Sequence, residues 1–326
     1  MFKFCELKKD EFQKFVDTCE NKHFMQTKYM NDYYKLKNRE SFFVGVKSSN
    51  KIVAAALVYL ESKFKKYKRY DIYKGFVMDY SNKELLKFFT EEIAKYLKRK
   101  NAYMFTIDPN MITVERNTNA DIVENGINNK NIINELIDLG YKKSPTDMQV
   151  RWTYVLNIDN MTSDEIFKTF KPNTRNNINK TLNKYKINIK TLKYDELDKL
   201  KKITEDTSNR RGFHDKSLIY IQNIFKAFKD NITVKLAEMN LKKYFDNLNE
   251  EKEKISIEIK TLEDIGIESK SAKSKHNNLV NNLINVQKRI DEAKTLIEKH
   301  GDIITLSAAM FITYGDEIIY FISGSY

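Results

Sequence analysis

A chain of 326 residues with 41% hydrophobic and 12% aromatic content is globular rather than disordered, and long enough for two domains with separate cores. Its net charge of +12, from 57 basic and 45 acidic residues, fits polyanionic partners (nucleic acid, phosphorylated substrates, an anionic membrane surface) and equally a generally Lys-rich exterior. No apolar run approaches the roughly 20 residues of a membrane span, the start Met1-Phe2-Lys3-Phe4-Cys5 lacks a secretory core, and Cys5 and Cys19 form neither a disulfide framework nor a metal cluster, so a cytoplasmic protein without a metal site is expected.

In chain order, residues 11–19 and 29–37 read as short helices. Phe42-Phe43-Val44-Gly45-Val46 and the run Ile52 to Tyr59 read as paired strands across Ser48-Ser49-Asn50. Residues 71–78 are extended, and Leu85, Leu86, Phe89, Ile93 and Leu97 mark one face of a helix. The strand over 102–107 stops at Asp108-Pro109, because proline cannot continue a ladder. A helix over 131–139 ends at Gly140.

The second half opens with an expected strand over 150–158 carrying Trp152. Thr162-Ser163-Asp164-Glu165 has the spacing of a capping box for a helix through Phe170. A basic helix over 174–184 and a further helix over 194–208 follow, then strands over 232–239, 303–314 and 317–323, the last two joined by Tyr314-Gly315-Asp316.

Between these strands Leu241, Leu248, Ile255 and Leu262 repeat every seven residues, with Glu251 and Glu258 on the same stripe. After a Ser-rich turn over 266–274, Leu279, Leu283, Val286, Ile290, Ala293 and Ile297 alternate four and three apart. This spacing predicts an antiparallel coiled-coil arm, about 35–40 Å long at 1.5 Å per residue. A packing prop and a ligand-contacting arm both remain open at this point.

Helices feeding mainly antiparallel sheets in each half suggest a repeated α+β module, the topology of acetyl-CoA acyltransferases. Their pyrophosphate loop needs a glycine-rich turn at a helix N-terminus, and none of the 9 glycines builds one, which disfavours an acetyl-CoA enzyme.

A set of short motifs then arrives in order over nearly the whole chain. It comprises Gln26 with Tyr33-Tyr34-Lys35-Leu36-Lys37, Lys74-Gly75-Phe76-Val77-Met78-Asp79-Tyr80 and Ile107-Asp108-Pro109. Gln149-Val150-Arg151-Trp152-Thr153-Tyr154-Val155-Leu156 and Lys171-Pro172-Asn173-Thr174-Arg175-Asn176-Asn177-Ile178 follow. Leu306-Ser307-Ala308-Ala309 and Ser323-Gly324-Ser325 close the set. No single motif is specific, but the ordered set resembles the FemABX/MurM-type aminoacyltransferases that build peptidoglycan interpeptide bridges.

The resemblance implies two GNAT-like domains with a coiled-coil arm inserted in the second. The domains are expected at 1–148 and at 149–240 plus 301–326, with the arm at 241–300. It also implies transfer of Gly, Ala or Ser from aminoacyl-tRNA, a co-substrate rather than a bound cofactor, to a stem-peptide lysine amine. The acceptor would be lipid II or UDP-MurNAc-pentapeptide. Peripheral contact with the inner face of the plasma membrane, and contact with related family members, are further expectations. Lys37 aligns with a substrate-phosphate lysine of the family, and Lys216, after Arg210-Arg211-Gly212, with a phosphate-binding arginine. Tyr103 and Tyr220 fall where the family lines its muramyl-peptide cleft. Asp108 is the carboxylate nominated as base or amine-orienting group, and Arg175 and Lys180 as contacts to tRNA or phosphate. Each has a plainer alternative: solvated basic residues, core tyrosines and a turn-capping aspartate. His214 reads as an ordinary loop histidine.

Two departures stand out. Phe76 replaces a usual proline, which predicts a differently seated strand, and the chain stops at Tyr326, where family members continue. A C-terminally truncated member with an incomplete second sheet is therefore expected. The rival readings are a non-catalytic RNA-binding protein and an aminoacyl-tRNA-dependent transferase acting on another amine.

Overall fold

The computed structural model describes Met1–Tyr326. From the N-terminus run β1 (Phe2–Glu6), α1 (Lys9–Asp17), α2 (Lys28–Leu36), β2 (Ser41–Ser48), β3 (Lys51–Phe64), β4 (Tyr67–Tyr73), β5 (Val77–Met78), α3 (Lys83–Arg99), β6 (Ala102–Asp108) and α4 (Lys130–Asp138). The strands form one sheet in the order β1-β2-β3-β4-β6, with β5 on β3. All pairs are antiparallel except β4 with β6, which α3 connects as a crossover.

Alternation decides which side chains meet which layer. Val44, Val46, Ala54, Ala56, Val58, Tyr70 and Ile72 share a core with Leu85, Leu86, Phe89, Ile93 and Leu97 of α3. The intervening residues face α1 and α2, where Phe12 stacks on Phe43 at 4.3 Å and Tyr34 on Tyr59 at 4.2 Å. With both faces covered, β3 reads as an unbroken apolar run from Ala54 to Tyr59. Phe76, in place of the expected proline, is fully buried against Phe89, and β5 still pairs with Ala54 and Ala55.

The remaining elements are α5 (Ser163–Thr169), α6 (Pro172–Asn179), β7 (Asn188–Thr191), α7 (Leu197–Arg211), α8 (Leu218–Phe228), β8 (Ile232–Asn240), α9 (Leu241–Ile265), α10 (Lys270–His300), β9 (Ile303–Tyr314) and β10 (Glu317–Ser325). The second sheet has the order β10-β9-β8-β7. The capping box forms as the spacing predicts: Thr162 Oγ1 accepts from Glu165 N at 3.3 Å, and Glu165 Oε2 accepts from Thr162 N at 2.7 Å.

The helical hairpin is present, with a shorter turn than expected, since Ser269 caps α10 by accepting from Ala272 N at 3.0 Å. Leu248 and Ile255 of α9 pack with Val286, Ile290 and Ala293 of α10, while Leu262 and Leu279 are only partly covered. Burial thus fades along the arm. Glu251, on the apolar stripe, is matched by Arg289 at 3.7 Å, and Arg289 also donates to the Tyr244 hydroxyl at 3.1 Å.

Four elements differ from the sequence expectation, the first being β1, which is not among the expected strands and is held by its pairing with β2. Residues 150–158 form no strand; Trp152 and Val155 are exposed, and two arginines, Arg116 and Arg151, lie over the Trp152 ring at 5.4 and 5.8 Å. Alternating apolar residues make a strand only where a partner edge exists, and this segment has none. Helix α8 escapes periodicity because its sequence is apolar nearly all round. Strand β7 is short and exposed, and its pairing with β8 supplies what its own residues do not signal.

The chain divides into two compact units: Met1–Val155, Ser217–Ile232 and Phe311–Ile319 form one; Leu156–Lys216, Thr233–Met310 and Tyr320–Tyr326 form the other. The second domain expected from sequence, 149–240 plus 301–326, takes in residues 218–228 and the β9–β10 turn, and by contact both group with the first unit. There Phe228 meets Tyr29 at 5.7 Å, and the Tyr314 hydroxyl donates to Asp17 at 2.8 Å while accepting from Gln13 Nε2 at 3.1 Å.

Candidate active site

The site in the first unit starts where the sheet is interrupted. Strand β3 pairs with β4 at Tyr59 and Leu60 but with β5 at Ala54 and Ala55, so Leu57 lies between its two partners on that side. Gln26 fills the gap. Its Oε1 accepts from Leu57 N at 2.7 Å, and its Nε2 donates to Tyr73 O at 2.6 Å and Leu57 O at 3.3 Å. The side chain is 1% exposed and replaces the missing strand contacts. Gly75 is required beside it: a Cβ there would lie 2.8 Å from Ile72 Cγ2 and 3.0 Å from Gln26 Cδ.

Parallel pairing sets Asp108 opposite Tyr73, at the C-terminal ends of β6 and β4. The next residue, Lys74, brings its Nζ to 3.4 Å from Asp108 Oδ2. That oxygen is buried and accepts no hydrogen bond, although the side chain as a whole is 29% exposed. The exposed part of the side chain therefore lies away from Oδ2. A counter-charge offsets the cost of holding a partly buried carboxylate in place.

A row of aromatic contacts leads away from this carboxylate. Tyr73 meets Tyr59 at 5.2 Å, Tyr59 stacks on Tyr34 at 4.2 Å, Tyr34 meets Tyr33 edge-on at 5.5 Å, and Tyr33 meets Tyr220 of α8 at 5.7 Å. The Lys37 ammonium lies 5.5 Å over the Tyr33 ring, at the exposed C-terminus of α2. Burial raises the pKa of Tyr33, Tyr34, Tyr59 and Tyr73, and pushes Tyr220 up to about 12, so these phenols stay protonated donors at neutral pH. Two ion pairs flank the row: Arg39 with Glu61 at 3.0 Å, and Arg69 with the buried Asp71 at 3.0 Å.

His23 borders the site. Its Nδ1 accepts from Met25 N at 3.2 Å, and burial, with the neighbouring Lys74 charge, lowers its pKa to about 3. The unfolded chain takes up that proton near the ordinary value of 6.5, so stability falls as pH drops from about 6.5 and the loss is complete near pH 3. His23→Gln is expected to flatten this part of the pH–stability curve, measured as denaturant midpoint against pH. Identical slopes in both proteins would refute the assignment.

Of the residues expected from sequence, Asp108, Lys37 and Tyr220 are joined by this row. Tyr103 lies on the same β6 as Asp108, as the extra residue of a bulge between the Lys68–Ala102 and Arg69–Met104 pairs, and is 57% exposed. Lys216 belongs to the second unit, on an exposed loop where its N–H donates to Asp215 Oδ1 at 2.7 Å. Arg175 and Lys180 are also in the second unit: Arg175 Nη1 donates to Lys168 O at 3.0 Å, tying α6 to α5, and Lys180 is exposed. His214 is exposed in its loop. Lys74, His23, Tyr59 and Tyr73 were not among the expected site residues. Only Lys74 carried a signal, its place in the Lys74-to-Tyr80 motif.

Comparison with known proteins bears on this geometry. The FemAB family profile matches residues 7–326. The chain is 33% identical over 336 residues to the aminoacyltransferase FemA of Staphylococcus epidermidis, covering 99% of this chain and 79% of that protein. It is 31% identical over 336 residues to FemA of Staphylococcus aureus, with the same coverage. Among solved structures, the crystal structure of FemX superposes with a TM-score of 0.70 at 21% identity, over 99% of this chain and 80% of that one, which establishes a shared fold.

Proposed function

The chain belongs to the FemAB family, and from that premise we propose that it is an aminoacyltransferase building a peptidoglycan interpeptide bridge. The donor is an aminoacyl-tRNA carrying glycine, alanine or serine. The acceptor is the stem-peptide lysine amine of lipid II or UDP-MurNAc-pentapeptide. The FemA relatives are aminoacyltransferases; the donor, the amino acid and the acceptor are our reading.

The observation that carries this reading is the partly exposed Asp108 carboxylate, held beside Lys74 at one end of a tyrosine row whose other end carries Lys37. The acceptor amine attacks the ester carbonyl, an amide C–N bond forms, and the ester C–O bond to the ribose breaks. The amine loses a proton and the ribose hydroxyl gains one. A lysine-type amine has a reference pKa near 10.4, so it arrives as an ammonium that a carboxylate attracts, orients and helps to deprotonate. Asp108 serves that purpose. Lys37, an exposed point cation, suits the pyrophosphate of the acceptor, and the partly exposed Tyr73 and Tyr220, at the two ends of the buried row, suit its polar sugar and peptide groups. Lys216, Tyr103, Arg175 and Lys180 are proposed to add contacts to acceptor or tRNA.

Incubation with charged tRNA and a lysine-containing muramyl pentapeptide tests the reading. Label transferred to the peptide supports it; retained RNA binding with no transfer would leave a non-catalytic RNA-binding protein, and transfer only to other amines would redirect it. Lys37→Ala is expected to raise KM for the muramyl peptide about tenfold, as for loss of one charge-assisted contact, with tRNA binding unchanged. Equal weakening of both substrates would contradict the phosphate role.

Peripheral contact with the inner face of the plasma membrane is part of the same proposal, since a lipid-linked acceptor resides there. No helix is long and apolar enough to cross a membrane.

A further inference from the structure

The β3–β4 hairpin extends past its neighbours. Pairing of β2 with β3 ends at Ser41–Tyr59, and pairing of β4 with β6 begins at Lys68–Ala102. Ser62 lies opposite Arg69 and Lys63 opposite Lys68, where β4 still has β6 on its other side, and the last pair, Phe64 opposite Tyr67, lies beyond both neighbouring strands. Lys65, at φ 54°, and Lys66 make the turn. Directly opposed residues share a sheet face, so Phe64 and Tyr67 project together from one side of the tip.

The composition of this tip is unusual. Five basic and two aromatic residues lie from Lys63 through Arg69, with no acidic residue among them. Phe64 is 69% exposed and Tyr67 48%. Lys68 is matched by Glu40 at 2.6 Å and Arg69 by Asp71 at 3.0 Å. Lys63, Lys65 and Lys66 are exposed without an ion pair, and Lys65 and Lys66 lie over the Phe64 and Tyr67 rings at 5.6 and 5.5 Å. A fold stabilised by burial gains nothing from placing a phenylalanine there.

We propose that this tip is a peripheral anchor for an anionic phospholipid surface. Phe64 and Tyr67 enter the boundary between headgroups and acyl chains, and Lys63, Lys65 and Lys66 meet the anionic headgroups. The tyrosine hydroxyl and the flexible lysine stems suit a layer that is apolar below and wet above. The duplex stems of RNA would satisfy the lysines but offer Phe64 no unstacked base, and the tRNA measurement below tests the alternative of a single-stranded loop or end. The proposal deepens the membrane contact named above by assigning its residues, and it does not depend on the transfer reaction.

Co-sedimentation of the full chain with vesicles, without substrates, tests it. Binding is expected to vesicles of phosphatidylglycerol with phosphatidylcholine, and not to phosphatidylcholine alone. Joint Lys63→Ser, Lys65→Ser and Lys66→Ser substitution is expected to weaken partitioning about 100-fold at low salt, from about 1 kcal/mol per lysine. Joint Phe64→Ser and Tyr67→Ser is expected to weaken it about tenfold. Retention of uncharged tRNA, measured in parallel, should be unchanged in both variants. Failure of the parent chain to bind anionic vesicles, or parent-like binding by both variants, would overturn the proposal. So would loss of tRNA retention with vesicle binding intact, which would make the tip an RNA contact. Should the aromatic variant melt early, Lys65→Glu with Lys66→Glu keeps the aromatic pair and must still abolish vesicle binding.

Discussion

Asp108→Asn is expected to lower amino-acid transfer by about 10²–10⁴-fold, the range of a positioned acid–base group, while KM for peptide and tRNA changes little. Asparagine keeps the shape of the side chain but can neither hold the incoming ammonium by charge nor receive its proton. The geometry makes the substitution informative. One oxygen is buried beside Lys74, so Asp108 has one orientation and one accessible face. Removing the charge also strands Lys74, whose side chain is only 18% exposed, so a melting curve must accompany the kinetics. A folded Asp108→Asn protein with transfer within threefold of the parent would exclude Asp108 from the chemistry and return it to the turn-capping role that its neighbour Pro109 also suggests.

Gln26→Ala is expected to cost about 3–5 kcal/mol of folding stability, because two buried backbone groups and one part-buried carbonyl lose their partner at about 1–3 kcal/mol each. Leu57 N, Leu57 O and Tyr73 O have no strand to turn to, since β3 changes partners at that point. Gln26→Glu separates the contributions: a carboxylate still accepts from Leu57 N but cannot donate to Tyr73 O. Its stability should fall below that of the alanine variant in denaturant titration, because an unpaired buried carboxylate faces the Leu57 and Tyr73 carbonyl oxygens. A cost below 1 kcal/mol for Gln26→Ala would mean that water or a local shift replaces the amide. Tyr73 precedes Lys74, so loosening the gap should also misplace the ion pair with Asp108.

The reading of Asp108 from sequence used only its position at a strand end before a proline. What the fold adds is Lys74, brought to the carboxylate by parallel pairing of β4 with β6 after a helical crossover. Parallel partners are distant in sequence and leave no local pattern, so this contact had no signal. The tyrosine row has the same character. Tyr33, Tyr34, Tyr59, Tyr73 and Tyr220 come from four elements, and α8, which supplies Tyr220, was itself invisible to periodicity.

The helical hairpin shows the opposite case. Its residues repeat at heptad spacing, and the apolar stripe alone specifies two helices with a seam between them. Even Glu251, a flaw in that stripe, has a local answer in Arg289. Residues 150–158 show where such reasoning fails, since alternation describes a face and not the neighbour that would cover it.

By itself, then, the sequence determined what depends on near neighbours: most helices and strands, the capping box at Thr162, the hairpin over residues 241–300, and the ordered motifs of the FemAB family. Only the tertiary structure decided what depends on distant partners. It closed the break in β3 with Gln26, matched Asp108 with Lys74, grouped α8 with the first unit, and left Phe64 and Tyr67 exposed among unpaired lysines. The division follows from range: periodicity and capping act within a turn or a strand, whereas register, burial and the pairing of charges are fixed when remote segments pack.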